Sequence, residues 1–215
     1  MSDTSIEPTG SEDQPLDPEK SAPEDRDTAG PLDESEANPV RPYVDLGGVK
    51  IVPRPELGLR LEVEEGSKRV VAVALDFAES TLQVQPFAAP RTSGLWHEIR
   101  SQIGDQIAKQ GGRVQHLDGP LGPELRAEIP APAGSEPGGV RIARFIGVDG
   151  PRWFLRGVIS GKAAVDASAA AQVEELFRSI VVVRGGTPMP PRDLIPLQVP
   201  QGVQGQQGQS GAQSV

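Results

Sequence analysis

Apolar and polar residues alternate along several stretches of this chain in the way that extended strands require. Leu59-Arg-Leu-Glu-Val-Glu64 alternates strictly, apolar against charged, and Thr81-Leu-Gln-Val-Gln-Pro-Phe87 does so again. Between them, Glu65-Gly-Ser-Lys68 offers a turn into the strand former Arg69-Val-Val-Ala-Val-Ala-Leu75. Branched side chains with a period of two suit a pleated surface buried on one side, so these runs predict a three-stranded meander. Ahead of them, the apolar run from Val44 to Val52 is interrupted by Gly47 and Gly48 and predicts one bent strand.

The period then lengthens. Trp96, Ile99, Ile103 and Ile107 recur at the spacing of one helix face, with Thr92 or Ser93 placed to cap it and Gly111-Gly112 to stop it. Strands are expected again at 113–118, 124–129, 140–148 and 153–160. A second helix is predicted from the stripe Val165, Ala169, Val173, Leu176, Phe177 and Ile180, capped by Asp166 and carrying Glu174 and Glu175 on its outer side. Residues 188–196 hold too many prolines for a sheet interior and read as an extended strap. The order βββ-α-ββ-ββ-α implies an α+β single-domain sandwich, mainly an antiparallel sheet of about seven strands covered by two amphipathic helices. In topology it resembles the PsbP/Mog1-like sandwiches, an architectural likeness that carries no function.

Charge changes the picture at the two ends. Residues 1–40 contain twelve Asp and Glu against Lys20 and Arg26, a balance of −10. With so little apolar surface to offset an ordering cost of ~1–2 kcal/mol per residue, this segment is expected to be a disordered acidic tail. Residues 201–215, rich in Gln and Gly, are expected to be a second tail. The whole chain carries −9, so the core domain at 41–200 is near neutral at +1, and the acidic chain average is no ground for dismissing anionic ligands.

Composition also removes whole chemistries. The chain has no cysteine, which excludes disulfides, thiolate metal sites and a cysteine nucleophile. Its start is acidic rather than basic and apolar, so no signal peptide is expected, and the longest aliphatic run is far short of the ~20 residues of a membrane span. A cytoplasmic, soluble protein is the expectation. The two histidines, His97 and His116, are isolated, so no metal site and no other cofactor is implied. No Gly-x-Ser-x-Gly block supports a serine triad, and neither Leu46-Gly-Gly-Val nor Arg184-Gly-Gly-Thr has the spacing of a nucleotide loop. The carboxylate pair Glu62 and Glu64 reads as a solvated hairpin edge.

One stretch remains, Gly147-Val-Asp-Gly-Pro-Arg-Trp-Phe-Leu-Arg-Gly157. Asp149-Gly150 is the favoured dipeptide of a two-residue type I′ turn, which would set Val148 opposite Pro151 and Ile146 opposite Trp153. One hairpin face would then carry Ile142, Arg144, Ile146, Val148, Trp153 and Leu155 into the core. The other would carry Arg141, Phe145, Arg152, Phe154 and Arg156. The bland reading has the second helix covering the phenylalanines while the arginines reach water. The functional reading makes Arg141, Arg152, Phe154 and Arg156 a ligand-binding surface able to hold an anion, a base or an acidic peptide. The tethered acidic tail could compete for that surface.

Three blocks carry a resemblance: Phe87-Ala-Ala-Pro-Arg-Thr-Ser-Gly-Leu-Trp-His-Glu-Ile99, the hairpin from Phe145 to Gly157, and Val181-Val-Val-Arg-Gly-Gly-Thr-Pro-Met-Pro190. In that order they resemble an actinobacterial domain-of-unknown-function family with an acidic N-terminal tail, over roughly residues 41–200. The resemblance brings no assigned activity. The function expected is a non-catalytic interaction or binding module, with a protein partner first and an anionic ligand second. Two rivals stand beside it. One is a small-molecule hydrolase or transferase using Arg152, Arg156 and Asp149, for which no nucleophile or base is visible. The other is a nucleic-acid binder on the arginine face, opposed by the near-neutral core.

Overall fold

A computed structural model of the chain describes residues 19–130 and 139–200. In chain order the elements are α1 (Arg26–Ala29), β1 (Leu32–Asp33), β2 (Val44–Asp45), β3 (Val49–Ile51), β4 (Gly58–Val63), β5 (Val70–Phe77), β6 (Ser80–Ala88), α2 (Trp96–Lys109), β7 (Arg113–Gly119), β8 (Gly122–Pro130), β9 (Val140–Asp149), β10 (Trp153–Gly161), α3 (Ala167–Arg178) and β11 (Val181–Val182). A 3₁₀ turn at Lys162–Ala164 leads into α3.

Seven strands form one antiparallel sheet in the order β4-β5-β6-β10-β9-β8-β7, which puts the β9–β10 hairpin near its middle. A smaller sheet runs β1-β11-β3-β2. The architecture is the α+β sandwich that the alternation predicts. On one face of the large sheet, Val73, Leu82, Val84, Ile146, Leu155 and Ile159 meet Val173, Leu176 and Phe177 of α3 and Val49 and Ile51 of the small sheet. On the other face Trp96 and the flank of α2 cover Phe154 and Phe145. Asp166 caps α3 as expected, its Oδ1 accepting from the Ala169 N–H at 2.8 Å.

The single bent strand expected at 44–52 is instead two short strands around Gly47-Gly48. Gly47 has φ +79°, and a Cβ on Gly48 would lie 2.9 Å from the Ile195 side chain. The glycines let the proline-rich segment pass directly over this turn, where the Gly48 N–H donates to Pro196 O at 2.9 Å and Gln198 N–H to Leu46 O at 2.8 Å. The same segment bonds Ala88 and Pro86 at the end of β6, so it ties the large sheet to the small one.

The expected tail at 1–40 is corrected over residues 19–40. Ser21 is buried, Ala22 packs on the core, and β1 pairs in parallel with β11, Leu32 opposite Val181. Trp153 Nε1 donates to Asp33 Oδ2 at 3.0 Å, and the Arg26 guanidinium sits 5.8 Å from the centroid of the Trp153 ring. The segment has little apolar surface of its own, so its order comes from hydrogen bonds and charges supplied by the domain beneath it. Residues 1–18 and 201–215 lie outside the described residues. No helix among the described residues is long and apolar enough to cross a membrane.

Candidate functional site: a groove beside the central hairpin

The hairpin has the predicted faces but not the predicted turn. Neither Asp149 nor Gly150 has the positive φ that a type I′ turn needs at both positions. Val148 lies opposite Leu155 and Gly147 opposite Arg156, while the Gly150 N–H donates to Trp153 O at 2.8 Å across a longer loop. The register is displaced by four residues, an even number, so each side chain keeps its face.

Asp149 explains the difference, because its carboxylate is engaged elsewhere. It accepts from the Leu95 N–H at 2.8 Å, the Trp96 N–H at 3.4 Å and the Ser21 N–H at 3.0 Å. Lys20 Nζ then takes the Gly150 and Pro151 carbonyls at 2.6 and 2.8 Å. Thus α2 is capped by a residue 53 positions downstream, and neither Thr92 nor Ser93 is its cap. Burial pushes the Asp149 carboxyl above its ordinary range, against the three N–H groups and Lys20, which hold it down. With its oxygens committed to the fold, Asp149 has no free base to offer the hydrolase or transferase reading.

Of the four predicted site residues, Arg141 and Arg152 lie apart, whereas Phe154 and Arg156 meet at one groove. Arg141 is exposed at the start of β9, and six strand positions, ~20 Å, divide it from the Gly147–Arg156 pair. Arg152 turns to the Gly185 carbonyl at 3.0 Å, with Asp33 in electrostatic reach. Phe154 is fully buried, stacked between Phe87 (centroids 6.0 Å) and Trp96 (5.8 Å), at the floor of the groove rather than on an open surface. The helix covering it is α2, the first amphipathic helix of the sequence reading, not the second. Trp153 is core, as its face predicts.

Arg156 is different. It lies where α2 stops covering the sheet, and with Phe87, Ile99, Gln102, Ile103, Gln106, Phe154 and Arg192 it lines a groove of about 230 Å³. Its guanidinium sits 5.8 Å from the Phe87 ring centroid and one Nη donates to Gln85 Oε1. Nε is sealed from solvent without a hydrogen-bond partner, and burial pushes the guanidinium pKa down with no carboxylate to restore it. Arg184 also has a sealed Nε without a partner, but it bonds Thr187 O in its own loop and lines no groove with Arg156, whereas the arginine of β9 that enters the core is fully paired. Arg144 bonds Glu124 and Glu174 at 2.8 and 2.5 Å inside the core. Burial opposes its charge, but the two glutamates outweigh that and raise its pKa. This places Glu174 inward, correcting its outer-face assignment, because Arg144 emerges beneath α3 and needs a counter-charge there. Glu175 is the exposed member, pairing Arg54 at 3.2 Å. Arg192, at the rim of the groove, pairs with Glu98.

Sequence reasoning found Arg156 but missed Phe87, Ile99, Ile103 and Arg192. The alternation of β6 put Phe87 on the same face as Gln83 and Gln85, and that was the available signal. Strand order, which places β6 beside β10, was not. His97 lies on α2 and His116 on the outermost strand β7; Glu62 bonds Gln83 at the sheet surface. A family model described as a protein of unknown function, DUF3710, matches residues 30–206. A search of curated proteins finds no match.

Proposed function

We propose, for a chain that belongs to the DUF3710 family of proteins of unknown function, that it is a non-catalytic binding module whose ligand presents an anionic group to Arg156. One observation carries this reading: a largely buried guanidinium lines a groove and has no carboxylate paired to it. An uncompensated buried charge costs several kcal/mol, which an anion in the groove would offset. The catalytic reading finds no support in a groove that contains no free carboxylate, imidazole or hydroxyl among its lining residues. Dispersal of Arg141 and Arg152 and withdrawal of Phe154 speak against a nucleic-acid surface on this hairpin. The test is a titration of the full chain with acetate and with phosphate, observing the Arg156 Nε–H resonance and the methyl groups of Ile99 and Ile103. Saturable movement of these signals, absent in Arg156→Gln, is the expected result. Movement confined to Arg141 and Arg152 would overturn it.

A further inference from the structure

We infer that the groove takes a monocarboxylate with a short apolar body, its carboxylate on Arg156 and its body along Ile99, Ile103 and Phe87. This rests on the reading of Arg156 as an anion site and adds the chemical class of the anion.

Charge selects the head group. Arg156 is the one lining cation without an acidic partner, since Arg192 is paired to Glu98, which itself brings negative charge to the rim. A single guanidinium balances a single negative charge. A phosphate dianion would bring two charges into a site that offers one, beside a carboxylate that repels it. A guanidinium also matches the planar two-oxygen edge of a carboxylate, whereas an ammonium ligand would meet a like charge.

The walls select the body. Ile99 and Ile103 are half-buried on the flank of α2, and Phe87 is half-buried on β6, so each shows apolar surface to the groove. Behind Phe87 the stacked rings of Phe154 and Trp96 make the wall rigid. Gln102 and Gln106 are exposed and stand at the mouth on the same helix. A groove of about 230 Å³ is smaller than the ~300–1,000 Å³ of sites for drug-sized ligands, so the body it takes is short. The arrangement is apolar wall with one fixed polar contact, the usual make-up of a small-molecule pocket.

The test measures binding of acetate, butyrate, octanoate, dodecanoate and phenylbutyrate to the full chain, with octylamine and inorganic phosphate as controls. Each methylene buried is worth ~0.8 kcal/mol, or about fourfold in affinity, so octanoate should exceed butyrate by on the order of 10²-fold. The gain should stop before dodecanoate, and phenylbutyrate against octanoate tells an aromatic body from an alkyl one. Arg156→Gln should remove carboxylate binding while thermal unfolding stays as in the parent. Ile103→Ala should flatten the dependence on chain length without removing acetate binding. Carboxylates that move the Arg156 signal with no dependence on length, or phosphate binding tighter than octanoate, would overturn the proposed class and leave the anion site standing. Octylamine binding as well as octanoate would also overturn the class. If no anion moves the Arg156 signal, the inference and the reading beneath it both fall.

Discussion

Two arginines on neighbouring strands show how much depends on a partner. Arg144 is buried with Glu124 and Glu174, so Arg144→Leu leaves two carboxylates facing each other without their cation. That change should destabilise by about 3–5 kcal/mol, measured by chemical denaturation. Arg156→Leu removes a buried charge that has no ion pair and exposes no new one. It should lie within about 0.5 kcal/mol of the parent or be more stable, a result expected of a residue retained for binding rather than for the fold. Asp149 gives a third test at this scale. Its folded pKa is raised by burial, so the favourable contribution of its protonated form is complete below the unfolded value near 3.8 and is lost as pH rises through the folded value. A carbon-detected titration of the Asp149 carboxyl should show a midpoint above 3.8. A midpoint at or below that value would mean that the N–H groups of Leu95, Ser21 and Trp96 outweigh burial.

At the scale of elements, α2 is held by features outside its own sequence. Its first amides rest on Asp149, and its Trp96 ring lies on Gly147, where a Cβ would come within 2.4 Å of the ring. Gly147→Ala should therefore lift the start of α2 off the sheet at a cost of roughly 1–3 kcal/mol, with faster amide exchange at Leu95 and Trp96 as the local readout. Elements with a strong internal period were legible in the sequence, including β4 to β6, both long helices and the Asp166 cap. The cap of α2 was not, because Asp149 satisfied a local turn rule so well that its distant partners could not be inferred. The predicted hairpin had the wrong register but the right faces, since a displacement of four residues preserves a period of two. That parity is why Trp153 could be assigned to the core from a turn that does not exist.

At the scale of the molecule, the sandwich followed from counting strands and helices, whereas the groove required knowing which strand neighbours which. Phe87 and Arg156 are 69 residues apart and meet only because β6 pairs with β10, an arrangement that alternation cannot express. The ordering of residues 19–40 was invisible for a related reason: composition registers what a segment can bury by itself, not what others can bury against it. That docked segment has a consequence in time. Ser21 bonds to Asp149 across 128 positions, and Leu32 pairs with Val181. A ribosome adding ~5–20 residues per second makes the segment first and its docking sites on the order of ten seconds or more later. Through that interval the nascent N-terminus is a strand without a sheet, the kind of edge that recruits its neighbours. The acidic residues that hold the docked segment, among them Asp25, Asp33, Glu34 and Glu36, give it before docking a like charge that opposes pairing with a second copy of itself.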